Sequence, residues 1–134
     1  MRRLVGLVLG LALATGGARA QEFSDLMRMG EDARAGEQLQ LAVAYINGTG
    51  DYPRDAQKGC ALARKAAAVL PVAQRLVGEC FHYGLGGEQN DEKAIRAYER
   101  AYARGDKDSA CPLAVLLIAK RRDPGRAAAM CPQL

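Results

Sequence analysis

The chain has no tryptophan, two phenylalanines and a single histidine, His82, in 134 residues. Runs of β-branched residues are also missing while alanine and leucine abound, a composition that points to helices and away from a sheet core. Beyond residue 20 the serine and threonine hydroxyls are Ser24, Thr49 and Ser109. None stands in a G-x-S-x-G or S-x-x-K arrangement, which argues against a serine mechanism. There is no C-x-x-C, and His82 has no second histidine at ligand spacing, so neither a zinc site nor thiol redox chemistry is expected. Gly84-Leu85-Gly86-Gly87 is not followed by Gly-Lys-Ser/Thr and does not follow a strand pattern, which removes a phosphate loop. No catalytic residue, metal or cofactor is assigned.

What is present begins with a leader. Arg2 and Arg3 precede an apolar run from Leu4 to Ala14, and Ala18-Arg19-Ala20 supplies a small-residue ending, the layout of a cleavable secretory signal peptide over residues 1–20. The run is shorter than the ~20 residues a bilayer span requires, and no cysteine follows it to take a lipid. A mature chain from Gln21 to Leu134, with no membrane span, is expected. Arg2, Arg3 and Arg19 are three of the 19 basic residues, so removing the leader leaves sixteen against 15 acidic ones and a net charge of +1. Nucleic acid binding needs a concentrated basic face, and none is expected. The one basic run, Lys120-Arg121-Arg122, falls at an expected helix end, where cations complement the dipole.

Residues 73–105 read as two helices joined by a glycine turn. Leu76, Val77, Cys80 and Phe81 recur at helical spacing, glycines interrupt at 84, 86 and 87, and Tyr98 with its alanines resumes the pattern. Such an αα-hairpin of about 35 residues is too small to stand alone and needs copies to stack on. An earlier copy aligns: Leu41, Ala42, Tyr45, Gly48 and Gly50 each lie 36 residues before Val77, Gly78, Phe81, Gly84 and Gly86. In the second helices Asp55, Lys58, Lys65 and Ala66 lie 35 before Asn90, Lys93, Arg100 and Ala101. A degenerate third copy runs from Gly105 through Leu113, Ala114 and Leu117 to Asp123, Arg126 and Ala127. The repeats therefore fall at about 33–70, 71–105 and 106–134 within a single domain, 21–134. Small residues at 42, 78 and 114 allow close helix approach, Tyr45 and Phe81 fill space between helices, and Gly48, Gly50, Gly84 and Gly86 permit positive φ. Asp55 and Asn90 are placed to cap the second helices. A short leading helix over Glu22–Arg34, with Phe23, Leu26 and Met27 facing the core, is expected to cover the first repeat.

These residues resemble the Sel-one-like repeats, relatives of the tetratricopeptide repeat. The family pattern A-x-x-x-L-G-x-x-Y-x-x-G-x-G, D-x-x-K-A, aromatic, K-A-A is supplied in the middle copy by Ala73, Val77, Gly78, Phe81, Gly84, Gly86, Asn90, Lys93, Ala94, Tyr98, Arg100 and Ala101. In the first copy Ala42 and Gly59 replace the expected glycine and alanine, and Ala63 the aromatic. The resemblance implies an all-α fold, a short right-handed α-solenoid of stacked helix-turn-helix repeats.

Cys60, Cys80, Cys111 and Cys131 all follow the leader, and an even count in an oxidising compartment reads as disulfides. Residues equally distant from the turn face each other in an antiparallel helix pair. Cys60 and Cys80 are symmetric about Leu70, and Cys111 and Cys131 about Arg121, which predicts those two bridges. Each closes about 20 residues and contributes ~3 kcal/mol by loop entropy.

Stacked first helices offer a surface for peptides or partner proteins. The resemblance implies an interaction module or adaptor in the periplasm or outside the cell, with a protein or peptide partner. Gln38, Gln40, Gln74, Arg75, Glu79 and His82 are the candidate partner-facing residues. Two other readings stay open: a cell-wall or β-lactam hydrolase of the cysteine-rich repeat type, resting on His82 and Glu79, and an inhibitor of one exported enzyme. Apolar surface at an array end would also allow a homodimer.

Overall fold

The computed structural model describes the backbone of residues 2–134 and the side chains of residues 17–134; the side chains of the leader's Arg2, Arg3 and apolar run lie outside the described residues. The chain divides into two units, Met1–Ala33 and Arg34–Leu134. Helix α1 spans Arg2–Asn47. The separate helix expected over 22–34 is therefore not formed. Gly30 and Gly36 stand singly in a stretch without proline, and an isolated glycine costs a helix only about 1 kcal/mol. Within the first unit Phe23, Leu26 and Met27 are 66%, 63% and 56% exposed, so the expected core-facing stripe is corrected as well. No described helix is long and apolar enough to cross a membrane.

The second unit is built from three hairpins. The end of α1 pairs with α2 (Ala56–Ala66), α3 (Pro71–Tyr83) with α4 (Asp91–Ala103), and, after a 3-10 turn at Lys107–Ser109, α5 (Ala110–Ala119) with α6 (Pro124–Met130). No strand occurs among the described residues. Each second helix starts with the same device. Asp55, Asn90 and Asp123 accept, through the side chain, from the backbone N–H of Lys58, Lys93 and Arg126, each at 3.0 Å. One side-chain oxygen thus satisfies a donor left without a partner at each helix start.

The turns are less uniform. Gly48, Gly50 and Gly84 have φ of 68°, 65° and 63°, as expected, but Gly86 does not lie at positive φ. Its requirement is steric: a Cβ there would stand 2.6 Å from Cys60 Cβ and 2.9 Å from its Sγ. The shortened third turn has no glycine at the corresponding bends and uses Arg121 and Asp123 at φ 54° and 38°.

Helix approach is set by paired choices of small residues. A Cβ on Gly78 would meet Cδ1 of Tyr98 at 2.6 Å, and one on Gly59 would meet the Ala42 carbonyl oxygen at 2.7 Å. In the first repeat the small residue of the first helix is Ala42 because its partner position holds Ala63 in place of an aromatic; Gly59 then admits the closely packed backbone of α1. Tyr98, fully buried, fills the space between helices in the second repeat, while Tyr45 and Phe81 are half-buried. Tyr45 instead meets Tyr52 edge-on at 5.1 Å and accepts from Lys58 Nζ at 2.7 Å.

The core is continuous across the repeats. Ala35, Ala42, Ala63, Ala66, Ala73, Val77 and Ala97 join the first two hairpins, and Ile95, Tyr98, Leu113, Leu117 and Ala127 join the last two; Phe81 packs against both sets. Alanine dominates the first of these, so it buries little area per residue, and a covalent link supplements it. Cys60 is bonded to Cys80, and Cys111 to Cys131, the pairs that symmetry about Leu70 and Arg121 predicts. Arg104 adds a polar tie by donating to the carbonyls of Ala67, Ala68 and Val69 at 2.7, 3.3 and 2.9 Å, where α2 ends with unpaired carbonyls.

Candidate functional site

Equivalent positions of the first helices recur at intervals of 36 residues: Val43, Glu79 and Val115 are one such set, and Ile46, His82 and Ile118 another. Val43, Val115 and Ile118 remain 42%, 42% and 46% exposed, and Tyr83 is also exposed. Between the first helices of repeats one and two runs an open groove of about 400 Å³, floored by Val43, Ile46, Leu76 and Leu85 and edged by Glu79 and Arg54. An apolar floor with a charged edge suits the side chains of a bound peptide or helix.

Of the sequence-selected residues, Glu79 lies at this groove and His82 on the same helix face, whereas Gln38 is half-buried on α1 and outside the groove lining. Gln74 is half-buried on α3, and exposed Gln40 lines a separate hollow beside Tyr52. Arg75 is structural. Its Nε donates to Asp106 at 2.9 Å and its Nη1 to Glu79 at 3.0 Å, tying α3 to the entry of the third repeat. Burial opposes its charge, but Asp106 and Glu79 outweigh that cost and hold its pKa above the ordinary value. Sequence spacing did not disclose Asp106, which is separated from Arg75 by a whole hairpin. Nor did it disclose Ser109, whose buried hydroxyl donates to the same carboxylate oxygen at 2.6 Å.

His82 stacks on Tyr83 with centroids 4.4 Å apart, and its Nδ1 lies 3.3 Å from the hydroxyl of Tyr98. Burial, reinforced by the negative charge of Glu79, raises the pKa of that phenol well above its ordinary value of 10.0. The imidazole thus faces a hydroxyl kept protonated. Glu79, the carboxylate of the hydrolase reading, is occupied by Arg75. The basic run is occupied too: Lys120 pairs with Asp91 and Arg122 with Glu92, both at 2.9 Å, which is a link between helices and not a basic face.

A stack of three helical hairpins, with an apolar, charge-edged groove between the first helices of repeats one and two, defines a short helical repeat protein. The Sel1 repeat model matches residues 38–68 and 71–106, and the chain belongs to the Sel1 repeat family. Members of this family are generally protein–protein interaction modules and typically not catalysts. The matched residues comprise the first two hairpins; the third, more degenerate one lies beyond them. The fold is similar to the crystal structure of a Sel1 repeat protein from Oxalobacter formigenes, with a TM-score of 0.64 and 26% identity over 72% of this chain and 39% of that one. The present chain therefore corresponds to about two-fifths of that protein's length. No curated protein matches the sequence.

Proposed function

We propose that the chain is an exported adaptor, acting in the periplasm or outside the cell, that docks one protein partner along its first helices. The observation that carries this reading is the open groove lined by Val43, Ile46, Leu76 and Leu85 beside Glu79, with Val43 and its repeat equivalent Val115 both exposed apolar residues. Export is supported by the signal-like leader and by the two cystine bridges, which persist in oxidising compartments. The test is affinity capture from a cell-envelope fraction with the oxidised full chain as bait and the reduced chain as control. One protein is enriched by the oxidised chain, and the double variant Val43→Glu, Val115→Glu loses it while melting at the same temperature. Capture that survives both substitutions overturns this surface as the docking site.

A further inference from the structure

Each boundary between second helices carries a pair of facing positions. Between repeats two and three these are Glu99 of α4 and Arg126 of α6, which form an ion pair at 3.2 Å. The preceding boundary holds their repeat equivalents, 35 residues before Glu99 and 33 before Arg126: Arg64 of α2 and Lys93 of α4. An attractive pair in one place is a pair of like charges in the other. Both cations line one pocket of about 320 Å³, with Gln89, Asn90 and Glu88 around it.

Among the described residues neither Arg64 nor Lys93 takes part in an ion pair. Lys93 Nζ stands over the Phe81 ring at 5.4 Å, and Arg64 is exposed. The nearest acids on α4 are engaged elsewhere, Asp91 with Lys120 and Glu92 with Arg122. Glu88 is exposed on the turn and pairs with neither cation. The repulsion between two cations sharing a pocket is relieved when an anion sits between them. At the equivalent boundary the negative group is a carboxylate, and the side-chain amide of Asn90, whose oxygen caps α4, offers N–H donors for its second oxygen.

We propose that this pocket binds a carboxylate side chain from an acidic segment of the partner, held between Arg64 and Lys93. Naming a peptide as its carrier rests on the interaction reading above; the charge inversion does not. The site differs from the first-helix groove, so the two fail separately.

The test is an amide-resolved NMR titration of the oxidised full chain, at low ionic strength, with acetyl-Glu-Glu-Glu-Glu-amide and with its all-glutamine counterpart. The acidic peptide gives saturable shifts over residues 84–93 and around Arg64, and the glutamine peptide gives none. Arg64→Glu, which recreates the Glu99–Arg126 arrangement, weakens binding about tenfold, as loss of a charge-assisted contact implies, with no fall in melting temperature. Lys107→Glu makes the same charge change outside the pocket and alters binding by less than about twofold. Equal weakening by Arg64→Glu and Lys107→Glu would show diffuse attraction only and overturn the site. So would absence of saturable shifts, or inorganic sulfate matching the peptide's affinity, which would mark an adventitious ion only. If the pocket fails while capture still depends on Val43 and Val115, the carboxylate site is lost and the adaptor reading stands.

Discussion

Where Gly78 faces Tyr98, a methyl group has no room, because its carbon would stand 2.6 Å from two atoms of a fully buried ring. Gly78→Ala is therefore expected to destabilise by about 1–3 kcal/mol, the usual range for overpacking, although alanine is the better helix former by about 1 kcal/mol. In a Tyr98→Val background the obstruction is gone, and the same substitution becomes neutral or stabilising. Denaturant melts of the four proteins in that cycle give the coupling, and a Gly78→Ala effect independent of residue 98 would refute the steric account. This partnership was half legible in the sequence. The Ala42/Ala63 and Gly78/Tyr98 combinations showed in the repeat alignment, whereas the reason for Gly86 did not, since it depends on the distance to Cys60. The caps at Asp55 and Asn90 were readable because a cap acts on a residue three positions away, while Asp123 was read only as the place where the last helix restarts. The tie of Arg75 to Asp106 was not readable for the opposite reason, the acceptor being 31 residues on.

The last hairpin is the element most dependent on covalent help. Helix α6 has seven residues, too few to hold helical structure by its own hydrogen bonds, and its turn uses two non-glycine residues at positive φ. What holds it is Ala127 and Cys131 in the core, with Cys131 bonded to Cys111. Replacing both cysteines by alanine is expected to cost about 3 kcal/mol by loop entropy. Hydrogen exchange at residues 127–131 should rise far more than exchange in α3; uniform acceleration along the whole chain would contradict this local role. The hairpin could be read from its alignment to the earlier repeats through Leu113, Ala114, Leu117, Asp123, Arg126 and Ala127, and its bridge from symmetry about Arg121. The extent of α1 could not. Helical spacing in Phe23, Leu26 and Met27 signals a helix, but only a stop residue between it and the first repeat would make it a separate one. The exposure of Val43 and Val115 was also overlooked, since polar residues such as Gln38 and Gln40 draw attention on a helix face while apolar ones pass for core.

The repeats act as one molecule through shared core residues, and Tyr98 is the largest fully buried side chain among those joining the second and third hairpins. Its phenol ties the stability of the array to alkaline pH. Burial raises the pKa in the folded state above the ordinary 10.0, with the negative charges of Glu79 and Tyr83 adding to the rise. Below pH 10 the phenol is protonated whether the chain is folded or not, so the contribution is fully present and constant. Above it the unfolded chain releases the proton while the folded one retains it. The folded state then binds more protons, and stability falls with rising pH, by up to about 1.4 kcal/mol per unit for a single group. Tyr98→Phe keeps the ring and removes the ionisable hydroxyl, at the expense of the contact with His82. It is expected to lower stability at pH 7 by about 1 kcal/mol, the usual worth of one hydrogen bond, and to flatten the decline between pH 10 and 12. Melts of both proteins across that range compare the slopes directly, which cancels the titration of surface lysines common to the two. Equal slopes would mean that Tyr98 is not the group coupling the array to base, and the hairpins it joins would owe their alkaline sensitivity to charges elsewhere.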